Sequence, residues 1–279
     1  MGGATLPRRE SAGRTLVLVG CGKMGSALLR GWVAGRAASR FRVVEPAGPP
    51  PELAGADGVS WHYAPAELPT APAPDAVVFA VKPQAIDDLL PDYRRWAASE
   101  TLFVSIVAGK TIAGMTRHLG PAALIRTMPN TPAAIGRGIT VACANERVTR
   151  AQRQLCDELL AAAGESAWVE DEALLDAVTA VSGSGPAYVF LLIEALAQAA
   201  EAAGLPSDLA LRLARSTVAG SGELARLSAE SPARLRENVT SPGGTTRAAL
   251  DVLMAGDGLA PLIARAVAAA AARSRELAS

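Results

Sequence analysis

A full G-x-G-x-x-G, Gly20-Cys21-Gly22-Lys23-Met24-Gly25, stands where a short apolar, β-rich run (residues 15–19) gives way to an apolar, helix-compatible stretch (27–34). That setting confines the chain to few folds. Gly20 permits a tight turn, Gly22 lets a pyrophosphate approach the backbone, and Gly25 allows the helix to pack close against the strand. A βα unit opened by such a loop predicts a bound dinucleotide with its phosphates at the helix N-terminus. Cys21 reads as a small loop residue, and Lys23 as either a phosphate contact or a solvated side chain. The bland alternative is a glycine-rich turn without a ligand, and the flanking strand and helix argue against it.

Further apolar runs at 41–44, 76–81, 102–107 and 123–126 have the unbroken character of parallel strands covered on both faces. Proline-rich stretches at 46–51 and 65–74 separate them as surface connections. The expectation is a Rossmann domain, a doubly wound parallel sheet, over residues 14–170. Residues 1–13 carry Pro7, Arg8, Arg9 and Glu10 without an apolar core, so they read as a frayed tail and neither a signal peptide nor a membrane span. Glu45 closes the second strand about 20 residues beyond the glycine loop, where a carboxylate accepts hydrogen bonds from the adenosine ribose hydroxyls. This points to NADH. A 2′-phosphate would want cations, which Arg40 or Arg42 could supply, so the cofactor stays open as NADPH or NADH.

After residue 170 the strands stop, and helices are expected at 171–181, 186–203, 207–227, 232–238 and 259–277, giving an all-helical domain over 171–279. Pro186 suits a helix start behind Ser182-Gly183-Ser184-Gly185, with Ser182 and Ser184 as capping residues, and Gly204 suits a helix stop. The helix at 186–203 is apolar nearly all round (Val189, Phe190, Leu192, Ile193, Leu196, Ala197), more surface than one small domain covers. A homodimer is the expectation. Near the C-terminal end, Thr240-Ser241-Pro242-Gly243-Gly244-Thr245-Thr246 precedes an apolar helical stretch at 248–254. Two glycines that turn N–H groups toward one point, backed by a helix N-terminus, make a cradle for a small carboxylate without an arginine. An ordinary glycine turn capped by threonine is the alternative.

Charge narrows the partners. Formal net charge is zero, and the three lysines, Lys23, Lys82 and Lys110, are scattered, so no electrostatic footprint for nucleic acid is visible. Cys21, Cys143 and Cys156 form no paired spacing, which fits a reducing cytoplasm. The longest apolar stretches are alanine-rich and interrupted by charge, as in packed soluble helices.

Beyond these features the sequence resembles the Δ1-pyrroline-5-carboxylate reductase family along most of its length. The resemblance is carried by the glycine loop with Met24, by Phe79-Ala80-Val81-Lys82-Pro83-Gln84, by Ser105-Ile106-Val107-Ala108-Gly109 and by Arg126-Thr127-Met128-Pro129-Asn130-Thr131-Pro132. It continues from Asp176 through Ser182-Gly183-Ser184-Gly185-Pro186-Ala187-Tyr188 and from Val239 to Leu250, with Ser241-Pro242-Gly243-Gly244-Thr245-Thr246 the most distinctive block. The resemblance implies reduction of a cyclic imino acid by NADPH or NADH at an active site between a Rossmann and a helical domain, partly completed by a partner subunit. It implies a homodimer, with decamers of five dimers in some relatives. It assigns Ser241, Gly243, Gly244, Thr245 and Thr246 to the substrate carboxylate, Thr246 also to the ring nitrogen, and Ala80, Val81, Lys82, Pro83, Ala108 and Gly109 to the cofactor. One departure is that many relatives carry a ribose-contacting asparagine after the third strand, whereas this chain has Ala64-Pro65.

Hydride delivery to a protonated imine requires no metal, nucleophile or strong base, so the residues that matter are those that position. His62 and His118 fall outside the motifs and read as structural or surface groups. Lys82 reads equally as a cofactor contact or a loop brace, and Tyr188 and Asn130 as site lining or packing. A related imine or hydroxy-acid reductase is one rival; hydroxy-acid enzymes usually use a catalytic lysine or histidine in the helical half, which here contains neither. A non-catalytic NAD(P)H-sensing protein is the other.

Overall fold

The computed structural model describes residues 13–278, so the tail expected over residues 1–13 lies, apart from Gly13, outside the described residues. The first strand, β1 (Thr15–Val19), is buried at every position. A central parallel strand covered on both faces must be apolar on both, which is why its sequence does not alternate. Its side chains still divide by parity. Leu16 and Leu18 join Leu28, Leu29 and Trp32 of α1 (Lys23–Gly35) and Leu159 of α4 (Arg150–Leu160). Val17 and Val19 join Ile86 and Tyr93 of α2 (Ile86–Tyr93) and Met115 of α3 (Ile112–Leu119) on the opposite face.

Seven more strands complete an eight-stranded sheet: β2 (Arg40–Val44), β3 (Val59–His62), β4 (Ala76–Phe79), β5 (Leu102–Ser105), β6 (Ala123–Met128), β7 (Gly138–Ala144) and β8 (Gly164–Trp168). Their order is β3-β2-β1-β4-β5-β6-β7-β8. The strands β1 to β6 run parallel, as expected for a doubly wound domain; β7 is antiparallel to β6, and β8 is parallel to β7. The sequence reading lacks β3 and β8 because both are half-exposed edge strands carrying polar residues, Ser60 and His62 in one, Glu165 and Ser166 in the other. It lacks β7 as well. A 3-10 turn, Thr131–Ile135, joins β6 to β7 without a crossover helix, and so short a link returns the chain antiparallel.

The expected helix at 171–181 is shorter, α5 (Leu174–Val178), and continues as a π-turn, Thr179–Gly183. Leu175 is buried with Val141 and Cys143 of β7. That packing carries the first compact unit through Gly183, later than the loss of strands near residue 170, and the unit takes back the chain from Ala272 onward. There Ser274 Oγ donates to Asp176 Oδ1 at 2.7 Å. The second unit, Ser184–Ala271, comprises α6 (Gly185–Ala202), α7 (Ser207–Leu227), α8 (Pro232–Asn238), α9 (Thr245–Leu253) and most of α10 (Leu259–Ala278). Pro186 stands in the first turn of α6, and Gly204, at φ +97°, stops the chain before α7. Ser184 caps nothing with its side chain, contrary to the expected role. Within this unit α6 and α7 pack together, yet Phe190 and Leu191 remain 58% and 63% exposed.

Tyr93 is fully buried, edge-on to Phe79 at 5.2 Å, and its hydroxyl meets no hydrogen-bond partner among the described residues. Burial drives its pKa upward, so the group stays neutral. An orphaned buried hydroxyl costs about 1–3 kcal/mol. Tyr93→Phe is therefore expected to raise the urea midpoint, by about 1 kcal/mol of stability; a lowered midpoint would mean that the hydroxyl is satisfied.

Candidate active site

The strand order sets β1 beside β4 although β2 and β3 intervene in sequence. The chain winds outward from β1 and returns on its other side, so the C-terminal ends of β1 and β4 flank a topological switch point, the place where open α/β sheets take ligands. Backbone bonds hold the loops that leave it. Gly20 N donates to Val44 O at 2.9 Å, Ala80 N to Val19 O at 2.7 Å, and Ile106 N to Phe79 O at 3.0 Å.

The three glycines of the loop do different things. Gly20 takes φ +89°, and a Cβ there would stand 2.7 Å from the Ala80 carbonyl oxygen. A Cβ on Gly25 would stand 2.3 Å from the Gly20 carbonyl oxygen, so α1 starts hard against its own loop. Gly22 is different: its φ is −67°, and nothing lies within 4 Å of where a Cβ would be. The protein does not need glycine there for packing. An open cradle at the N-cap of α1, with no capping side chain and no acidic residue in the first turn, fits an anionic group held by N–H donors.

Cys21 N donates to Glu45 Oε2 at 2.7 Å, which ties the loop to the end of β2. The Cys21 thiol is buried beside Ser26, and burial, ahead of the opposing Ser26 hydrogen bond, raises its pKa. It is a protonated packing group. Beyond the loop lies a cleft of about 250 Å³ lined by Met24, Ala80, Val81, Ile106, Met128 and Asn130, with Pro129, Thr131 and Gly183 at its sides. The size suits one ring of a larger ligand, since sites that bury a whole drug-sized molecule run from ~300 to ~1,000 Å³.

Of the residues singled out in the sequence, Met24, Ala80 and Val81 line this cleft, while Gly20, Cys21, Gly22, Lys23, Gly25 and Glu45 form the adjoining loop and its anchor. Lys82, Pro83, Ala108 and Gly109 follow the β4 and β5 ends but do not line it. Lys82 is exposed, and the ion pair in this region is that of Lys110, in the loop after β5, with Asp87 in the first turn of α2. Gly109 takes φ +72° where a Cβ would meet the Leu277 carbonyl oxygen at 3.2 Å. Asn130 both lines and packs: its Nδ2 donates to Ser182 Oγ at 3.2 Å, and its Oδ1 accepts from Ile139 N at 3.0 Å. His62 sits by Ser60 on the β3 edge, and the His118 carbonyl accepts from Arg94.

Sequence reasoning missed Ile106, Met128, Pro129, Thr131 and Gly183 as lining. Most follow the C-terminal ends of β5 and β6, so the rule that places ligands at strand ends would have found them. Gly183 ends the π-turn, a feature without a sequence signature, and a Cβ there would collide with the Met128 side chain.

In the second unit, Ser241 to Gly244 closes a turn through Gly244 N donating to Ser241 O at 3.1 Å, with Gly243 at φ +67°. Gly244 is the N-cap of α9, which starts at Thr245, three residues before the stretch expected from apolar pattern. No side chain caps this end, and no acidic residue occupies its first turn. The first-turn N–H groups of Thr245 and Thr246 have no helical acceptor.

Sheet order, glycine loop and open cradle define the first unit as a dinucleotide-binding Rossmann domain. Residues 15–109 match the model of NADP oxidoreductases, coenzyme F420-dependent, and residues 172–277 that of pyrroline-5-carboxylate reductase dimerisation. The pyrroline-5-carboxylate reductase of Pseudomonas aeruginosa is 41% identical over 94% of this chain and 96% of its own. A structure of the Coxiella burnetii pyrroline-5-carboxylate reductase superposes with a TM-score of 0.87 at 33% identity, covering 95% of this chain and 98% of that one. The Plasmodium falciparum pyrroline carboxylate reductase, solved with NADP bound, gives 0.79 at 29% identity over 96% and 99%. The chain belongs to the pyrroline-5-carboxylate reductase family.

The two glycine roles separate experimentally. Gly25→Ala is expected to lower the thermal midpoint by several degrees, since overpacking costs about 1–3 kcal/mol. Gly22→Ala is expected to leave stability within about 0.5 kcal/mol and to weaken dinucleotide binding about tenfold or more, as read by fluorescence titration.

Proposed function

We propose that this protein reduces Δ1-pyrroline-5-carboxylate to L-proline with NADPH or NADH, the last step of proline biosynthesis. The observation that carries the reading is that two glycine-led, uncapped helix starts, at Gly22 and at Gly244, occur in a chain similar over nearly its full length to pyrroline-5-carboxylate reductases. The first takes the cofactor pyrophosphate, and the second the substrate carboxylate. Bound nicotinamide supplies the hydride.

The chain's own residues bind and position. Amides of Gly243 to Thr246 hold the carboxylate with charge-assisted hydrogen bonds, each worth roughly 1.5–3 kcal/mol. The Thr246 hydroxyl orients the ring nitrogen. Met24, Ala80, Val81, Ile106 and Met128 give the cleft that would receive the nicotinamide an apolar lining. Orientation of this kind supplies on the order of 7–11 kcal/mol of a barrier, more than any single bond in the site.

Self-association goes with the family's dimerisation domain, and we assign it to the helical unit as a homodimer. Leu174–Ala202 is long and apolar enough to span a membrane, its most apolar 18-residue stretch having mean hydropathy 1.4 and only 11% of its residues buried within the chain. A second copy of the chain, rather than a bilayer or a nucleic acid, is the proposed cover. The three unpaired thiols suit a cytoplasmic enzyme.

Loss of NAD(P)H absorbance on adding the cyclic imine tests the activity; binding without turnover would reduce the protein to a sensor. Thr246→Ala is expected to lower kcat about tenfold while cofactor affinity moves less than about twofold, and an unchanged kcat would reject the role of Thr246. Sedimentation velocity is expected to find dimers, or decamers built from them, and a stable, active monomer would remove the assigned interface.

A further inference from the structure

Resting on the dinucleotide reading above, we infer that the site selects NADH over NADPH and that Glu45 is the residue that discriminates. Glu45 follows β2 directly. Its Oε2 accepts from Cys21 N at 2.7 Å, and its Oε1 from Ala47 N at 3.1 Å. Two backbone amides thus fix a carboxylate at the rim of the glycine loop, where the adenosine ribose of a Rossmann ligand lies. A carboxylate has about four lone-pair sites, so two remain for ribose hydroxyl donors. A 2′-phosphate offers no such donor and brings a charge of about −1.5 to −2 beside one already negative.

Among the described residues, no cation is paired with Glu45 to offset that charge. Arg40 is engaged at the other end of β2, with Nε donating to Thr15 Oγ1 at 3.0 Å and Nη2 to Gly13 O at 3.2 Å. Five residues of strand, about 16 Å, separate it from Glu45. Arg42 is partly buried near His62, on the strand rather than at the rim of the glycine loop, with its Nη1 enclosed and without a hydrogen-bond partner. Arg30 is paired with Glu52 at 3.2 Å. Lys23 opens α1 beside the pyrophosphate cradle, a part common to both dinucleotides. The chain after Glu45, Pro46-Ala47-Gly48-Pro49-Pro50, has neither a hydroxyl nor a cationic side chain, and Glu45 itself occupies the Ala47 N–H. Since the P. falciparum relative has NADP bound, the selectivity belongs to these residues and not to the fold.

Calorimetric titration with ADP-ribose and 2′-phospho-ADP-ribose, alongside fluorescence titration with NADH and NADPH, tests this. The wild-type protein is expected to bind the unphosphorylated member of each pair about tenfold or more tightly than its partner. Glu45→Gln keeps one carbonyl acceptor, for Cys21 N, and gives up the bond from Ala47 N while removing the charge; it should cut the ratio to about threefold by strengthening NADPH binding. A merely structural role for Glu45 would weaken both ligands alike and leave the ratio unmoved. Ala47→Arg, on an exposed residue whose N–H is retained, should raise NADPH affinity about tenfold with NADH unchanged, and serves if Glu45→Gln does not fold. Equal affinities in the wild type, or a ratio indifferent to Glu45→Gln or Ala47→Arg, would overturn the selectivity and leave the dinucleotide site standing. Failure of all four ligands to bind would overturn the site and the selectivity with it.

Discussion

Backbone lies directly against backbone where β1, α1 and β4 meet, and the first unit is organised around that contact. Gly20 admits the Ala80 carbonyl and Gly25 admits the Gly20 carbonyl, each at a distance that a methyl group would occupy. Side chains at either place would push α1 away from the sheet, and Leu28, Leu29 and Trp32 would leave the cluster that covers one face. The same closeness brings the α1 N-terminus to the switch point between β1 and β4. Fold and ligand site therefore rest on a single steric condition.

Around this contact the polar groups are used to fix loops. Arg126, buried on β6, pairs with Glu172 Oε1 at 2.8 Å, and the same oxygen accepts from Ile112 N at the start of α3. Asn130 ties the exit of β6 to both β7 and the π-turn. Lys110 and Asp87 join the loop that follows β5 to the first turn of α2. The start of α3 is thereby held through Glu172 to β6, the exit of β6 to β7 and the π-turn, and the start of α2 to the loop after β5. A buried ion pair contributes little net stability once desolvation is counted, so the value of Arg126 and Glu172 lies in geometry.

What the sequence made legible were features whose cause is local. β1 is apolar on both faces because it is covered on both, and Gly20, Gly22 and Gly25 have the spacing of a strand–turn–helix loop, so both could be read directly. Edge strands β3 and β8 could not be read, because a half-exposed strand with Ser60 or Glu165 has no apolar run to detect. Antiparallel β7 and the π-turn depend on contacts with distant parts of the chain, Leu175 on Val141 and Gly183 on Met128. The same limit applied to the site. Ala80 and Val81 were visible through the motif around them, whereas Lys110 as a brace and Asn130 as a two-way clamp became visible only with their partners in place. Glu45 was legible as an acidic residue at a strand end, but not the amide bonds that hold it there.

The chemical plainness of the cleft follows from the proposed reaction. Reduction of a protonated imine relocates one positive charge within the site and creates none, so no ionised side chain has to stabilise a charge that was absent before. A carboxylate or lysine in the lining would instead have to be desolvated, at a cost of several kcal/mol by order of magnitude. Met24, Val81, Ile106 and Met128 line the cleft without that cost. Cys21, the thiol within the glycine loop, is held protonated by its burial. The burden then falls on orientation, and orientation is only as good as the rigidity of the loops. Gly20 and Gly25, which admit no substituent, and an asparagine with both ends of its amide bonded provide that rigidity without placing a charge in the lining of the cleft.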